Sequence, residues 1–155
     1  MRQRTKALLF SLALAVCAPA SVAAASDDEW NMTIEAERWS HLIGIAIVAA
    51  GGSPPREANT PESAPDLARI AQGIGEASAR LVTLHHLTCR LRPIAKPADC
   101  AVFAPPRWAT ATMQASKDEL RARLQWLAST AHKFVQPACA IAIKRTGDER
   151  FCTTE

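Results

Sequence analysis

His85, His86 and Cys89 are the residues whose types and spacing come nearest to a chemical site. His85 and Cys89 are four apart, which on a helix puts an imidazole and a sulfur on one face, the spacing of a metal-ligand pair. Two features argue against that chemistry. Adjacent histidines on a helix point about 100° apart and cannot chelate together, and an oxidised Cys89 offers no thiolate. His41 and His132 have no ligand partner at helical spacing. The expectation is therefore no metal site and no cofactor.

Catalytic signatures are equally scarce. The chain contains no G-x-S-x-G, no H-E-x-x-H, no Walker loop and no C-x-x-C-H, so nucleophilic, zinc-hydrolytic, nucleotide and haem chemistries have no local support. A Ser-His-carboxylate triad is a spatial arrangement that separations along a chain do not reveal. No catalytic residue is assigned, and the chain is read as non-enzymatic.

The N-terminus changes how the rest is counted. Arg2, Arg4 and Lys6 precede an apolar run, Ala7 to Val16, and Ala23-Ala24-Ala25 follows, the three parts of a secretory signal in order. The run is well short of the about 20 residues a spanning helix needs. Residues 1–25 are read as a signal peptide cleaved after Ala25, with cleavage after Ala23 as the second choice. Leu14-Ala15-Val16-Cys17 resembles a lipoprotein box, but Val16 stands where a small residue is wanted. The Ala-rich signal is of bacterial type, which makes the periplasm the expected destination and leaves 26–155 as a single domain.

Cleavage removes three of the 18 basic side chains and leaves 15 against 15 acidic. The apparent basicity belongs to the targeting segment and implies no affinity for nucleic acid. Cleavage also removes Cys17, leaving Cys89, Cys100, Cys139 and Cys152, an even set suited to an oxidising compartment. Three pairings are open. Cys89 with Cys100 and Cys139 with Cys152 are favoured because each closes a short loop of about 12 residues, worth roughly 3 kcal/mol each. Zinc would want tighter paired spacing.

These residues must be carried by elements, and the apolar periodicity is helical. The first helix is expected from Asp27 to Ala50, with acidic residues at its positive end and Gly51, Gly52, Pro54 and Pro55 as its stop. Leu42 to Val48 is apolar nearly all round and rich in β-branched residues. It is either a buried strand or the part of a helix covered by the core or, through 42–50, by a second copy. A Pro/Ser/Gly-rich linker follows at 51–65.

A second helix is expected from Ala64 to Leu91, opened by a Ser63/Asp66 capping box, with Gly73 and Gly75 placed for close approach of a neighbour. A third follows the Ser116/Glu119 capping box, along Leu120, Leu124, Leu127, Ala131 and Phe134, and is stopped by Pro137. Pro137 to Thr146 reads as a short fourth helix closed by Gly147, with a strand as the alternative. The fold class is thus an all-α bundle of three long helices and one short C-terminal one, stapled by two disulfides, with no membrane span.

Charge is unevenly spread along the chain. Residues 26–66 hold eight acidic side chains against two basic, and 67–155 hold 13 basic against seven acidic. Arg90, Arg92, Arg107, Trp108, Arg123 and Trp126 are the residue types that anchor protein contacts and form the candidate partner-binding set. The competing explanation is that the basic half packs on the acidic one. The function these features point to is an exported, non-enzymatic envelope protein that binds a partner protein, possessing acidic character, as an inhibitor or immunity protein does. The alternative is a ligand or metal sensor using His85 and His86 or the gap at Gly73 and Gly75, or an enzyme of unfamiliar type.

Overall fold

The computed structural model describes residues 25–56, 65–109 and 115–148. Over these residues the chain forms α1 (Asp27–Ala49), α2 (Leu67–His86), α3 (Pro97–Ala101) and α4 (Lys117–Thr146). A π turn, Leu87–Leu91, extends α2, and a single 3-10 turn, Arg107–Ala109, precedes α4. Among the described residues there is no strand, and no helix is long and apolar enough to cross a membrane.

Local chemistry explains where the helices begin. Ser26 caps α1 and Ser116 caps α4, each in a reciprocal box with the Glu three residues on. In each box the backbone N–H of the serine donates to the Glu carboxylate at 2.9 Å, satisfying donors that a helix start leaves open. Asp66 caps α2 by accepting from the Arg69 N–H at 2.7 Å. The expected start at Ala64 is thereby corrected to Leu67: one aspartate does the capping directly, and Ser63 lies outside the described residues.

The helix ends are less local. α1 is helical throughout, so the strand alternative for 42–48 fails. Ile43 and Ala46 are fully buried, as Leu42, Ile47 and Ala49 nearly are, whereas Ile45 is half-buried and Val48 faces solvent. Most of the apolar girdle is covered by the chain's own core. Gly51, at φ 84°, turns the chain out of α1, a conformation that favours a residue without Cβ.

The largest correction concerns α4. It runs 30 residues and passes straight through Pro137, so the expected third helix and short C-terminal helix are one element. An internal proline costs about 3 kcal/mol through its missing N–H and its clash with the preceding turn. Against that, Phe134, Val135, Ala138, Cys139 and Ala142 are all buried on one side of the same helix, and burying one large apolar side chain is worth roughly 1.5–3 kcal/mol. Packing outweighs the break. Gly147, at φ 73°, then ends α4 as expected. Among the described residues the short α-helix is α3.

α1, α2 and α4 enclose one core. Ile43 and Ala46, then Ile74, Ala77, Leu81 and Leu84, then Leu120, Leu127, Phe134 and Ala138 supply its centre. α1 and α4 run side by side in the same direction, since Lys117 at the start of α4 reaches Ser26, Asp28 and Glu29 at the start of α1. Arg121 adds ion pairs to Asp28 and Asp118, both at 2.6 Å. The acidic N-terminal segment thus neutralises part of the basic C-terminal one, as the internal explanation of the charge asymmetry required.

Candidate functional site

The last turn of α2 carries His85 inward, and the π turn that follows widens the backbone so that Cys89 faces α3. Pro97 starts α3 and its single turn presents Cys100. Cys89 and Cys100 are bonded, with their Cα atoms 5.8 Å apart, as expected. The proposed partner of Cys139, Cys152, lies outside the described residues. Beyond α3 the chain lays Phe103 flat on His85, with ring centroids 4.1 Å apart, and Phe134 of α4 meets the same imidazole edge-on at 5.3 Å.

His85 sits in this aromatic pocket with Nε2 buried and without a hydrogen-bond partner. Burial, which penalises the imidazolium, holds its pKa below the usual histidine value, and hydrogen bonding at the Cys100 backbone opposes that shift. The neutral ring is the resting form. His86 points to solvent, as adjacent helical positions require.

The six candidate partner-binding residues divide into two groups. Trp108 and Trp126 meet edge-to-face at 5.2 Å, and the Arg123 guanidinium lies 5.3 Å from the centre of the Trp108 ring. With Pro106 they line an open groove of about 230 Å³, and Arg107 is exposed beside it. Trp108 comes from the 3-10 turn while Arg123 and Trp126 come from α4, so tertiary packing assembles the groove. Glu119 also borders it, but its carboxylate is held by the Ser116 N–H. That hydrogen bond lowers its pKa.

Arg90 and Arg92 do not join this group. Arg92 reaches across to the end of α1, where a Cβ on Gly51 would come within 2.8 Å of the guanidinium carbon. A cation there sits at the negative end of the α1 dipole. Arg90 is exposed on the π turn, close enough to His85 to disfavour its protonation.

A second concavity, of about 390 Å³, lies between α1 and α2. Glu37 and His41 line it from one side, Glu76, Arg69 and Arg80 from the other, with Gly73 at its floor. Arg80 is anchored there by donating to the Ser40 and Arg56 carbonyls at 3.3 and 3.0 Å. Sequence periodicity did not single out this group, because His41 finds its neighbours on another helix. The close approach expected at the two glycines is found at neither, since both positions have room for a Cβ. A Cβ on Gly73 would make ordinary van der Waals contact with that of Ala36 at 3.7 Å, and one on Gly75 would meet nothing within 4 Å.

Phe103 and Pro106 were also missed. Both stand in a segment without periodicity, so no signal marked them. The S-x-x-E box at Ser26 and Glu29 was legible in principle, having the same form as the one recognised at Ser116. No family model, curated protein or solved structure matches the chain.

Proposed function

We propose that this chain is an exported, non-enzymatic envelope protein that binds a partner protein through the Trp108/Trp126 groove, in the manner of an inhibitor or immunity protein. The single observation that carries the reading is the convergence of Trp108, Arg123 and Trp126 from two elements onto one open surface. Large aromatic rings with a guanidinium beside them are the usual energetic anchors of protein interfaces. An acidic segment is the occupant proposed. Arg123 lies over the Trp108 ring, while Glu119, which also lines the groove, is engaged in capping its own helix.

Export rests on the signal-like N-terminus, and periplasmic residence and the Cys139–Cys152 bridge belong to the same proposal. Intact-mass measurement of the exported protein tests both. A chain beginning at Ser26 and short of its reduced mass by four hydrogens is expected; a retained Met1 or four free thiols refutes them.

Binding is tested by affinity capture from periplasmic extract with the wild type, Trp126→Ala and, as control, His132→Ala. A stoichiometric acidic partner should be retained by the wild type and the control. Losing a central Trp anchor costs about 2 kcal/mol, roughly 30-fold in affinity, so Trp126→Ala should release it. Free monomer throughout overturns the reading.

The cleft between α1 and α2 supports a second reading, a sensor of a small polar ligand. Its volume falls within the range of about 300–1,000 Å³ typical of ligand sites, and it gathers carboxylate, imidazole and guanidinium groups. Gly73→Leu, which fills the floor, should abolish a calorimetric response to any such ligand and leave the groove's partner bound.

A further inference from the structure

His85, Cys89 and Cys100 offer one ligand atom each, and these atoms all lie within 4.8 Å of one another. Among the described residues no other group of three His, Cys or carboxylate side chains comes together in this way. A second observation concerns the same side chain: the Nε2 atom of His85 is buried and makes no hydrogen bond. A buried polar atom left unpartnered costs stability, so the imidazole keeps bonding capacity that the fold does not use.

We propose that reduction of the Cys89–Cys100 bridge converts this pocket into a Cys2His site for a thiophilic d10 cation, Cu(I) or Zn(II). In the bonded state the sulfurs carry no charge and are poor ligands. Two equivalents of a thiol, or one phosphine with one water, supply two electrons and two protons; the S–S bond breaks to two thiols, and the reductant leaves as its disulfide or, carrying the water oxygen, as phosphine oxide. Metal binding then expels those two protons as two metal–thiolate bonds form, with His85 adding an uncharged nitrogen. Thiolate and imidazole are the donors such ions prefer.

The geometry accommodates the change. Two thiolates on one such ion stand about 3.7–4 Å apart, so the sulfurs must separate from bonding distance. Cys100 is carried on a helix of five residues with irregular chain on both sides, while Cys89 is on the π turn, so α3 can yield while α2 holds. Phe103 and Phe134 keep the imidazole oriented and screen it from water. The bridge therefore acts as a redox gate: closed when oxidised, metal-binding when reduced. This inference is independent of the groove and does not rest on partner binding.

The test is anaerobic competition for Cu(I) against a chromophoric chelator, using the full chain before and after phosphine reduction. The reduced wild type should take one equivalent at the site. His85→Phe, which retains every cysteine and the aromatic stack, should bind at least tenfold more weakly, and Cys89→Ser/Cys100→Ser should lose that equivalent. Equal affinity in the wild type and His85→Phe, or unchanged uptake by the oxidised protein, overturns the proposal. X-ray absorption on the Cu(I)-loaded wild type gives a readout that no variant's folding affects. A shell of two sulfurs and one nitrogen is expected, and an all-sulfur shell refutes it.

Discussion

The ammonium of Lys117 lies 3.1 Å from the hydroxyl of Ser26, the residue that caps the neighbouring helix. The same ammonium is 3.2 Å from Glu29 and 3.5 Å from Asp28. Two parallel helices starting together bring two positive dipole ends into contact, an unfavourable arrangement. Asp27, Asp28, Glu29, Asp118 and Glu119 supply the negative charge that offsets it. Lys117 and Arg121 then link the acidic groups across the seam.

Charge reversal at the seam is the first prediction. All these groups are partly exposed, and exposed pairs contribute about 0–1 kcal/mol each. Lys117→Glu replaces two attractions by repulsions and should destabilise by about 1–2 kcal/mol. The loss should shrink in high salt, which screens surface charge. Denaturant titration at low and high ionic strength measures it; a loss indifferent to salt would mean that packing, not charge, is what Lys117 contributes.

The pH dependence follows from three groups whose pKa values are lowered in the fold. Burial lowers that of His85, so below the unfolded value of about 6.5 the unfolded chain binds the proton more readily. Stability should be full above that pH and fall as acid is added. For Glu29 the Ser26 backbone bond and then Lys117 lower the pKa, and for Glu119 the Ser116 backbone bond does. Their contribution is present above the ordinary carboxylate range and lost as pH falls through their folded values. Thermal unfolding should therefore show two acid steps, and His85→Phe should remove only the first. Persistence of that step in the variant would assign it elsewhere.

Glycine substitutions should have opposite signs. A Cβ on Gly75 meets nothing within 4 Å, and Ala is favoured over Gly inside a helix by about 1 kcal/mol. Gly75→Ala should raise stability by about that amount. A Cβ on Gly52 would lie 2.6 Å from the Leu87 side chain and 2.8 Å from that of Ile47. Overpacking of this kind costs about 1–3 kcal/mol, so Gly52→Ala should destabilise. Equal effects in denaturant titrations would contradict the close approach of Leu87 to the end of α1.

Pro137→Ala tests how α4 accommodates its proline. Restoring the backbone N–H should stabilise by about 1 kcal/mol or more, with helical content unchanged by circular dichroism. Destabilisation would show that the packing of the proline ring outweighs the missing backbone N–H.

Much of the framework was legible because its causes are local. The Ser116/Glu119 box, the acidic first turn of α1, the glycines that end α1 and α4, and the stripe from Ile70 to Leu84 each depend on residues within a few positions of one another. The Cys89–Cys100 bridge was legible for the same reason, since eleven positions separate its ends. Whether Pro137 stops a helix is a different kind of question. Its local cost is known from the residue type, but the compensating burial of Phe134, Ala138 and Ala142 depends on where α1 and α2 lie. Only the packed structure decided that, and with it that Trp108 meets Trp126, that Arg92 leaves their company for Gly51, and that Phe103 closes over His85. Short-range hydrogen bonding and backbone sterics can be read along a chain; contacts between distant segments depend on the competition of all apolar surfaces for one core.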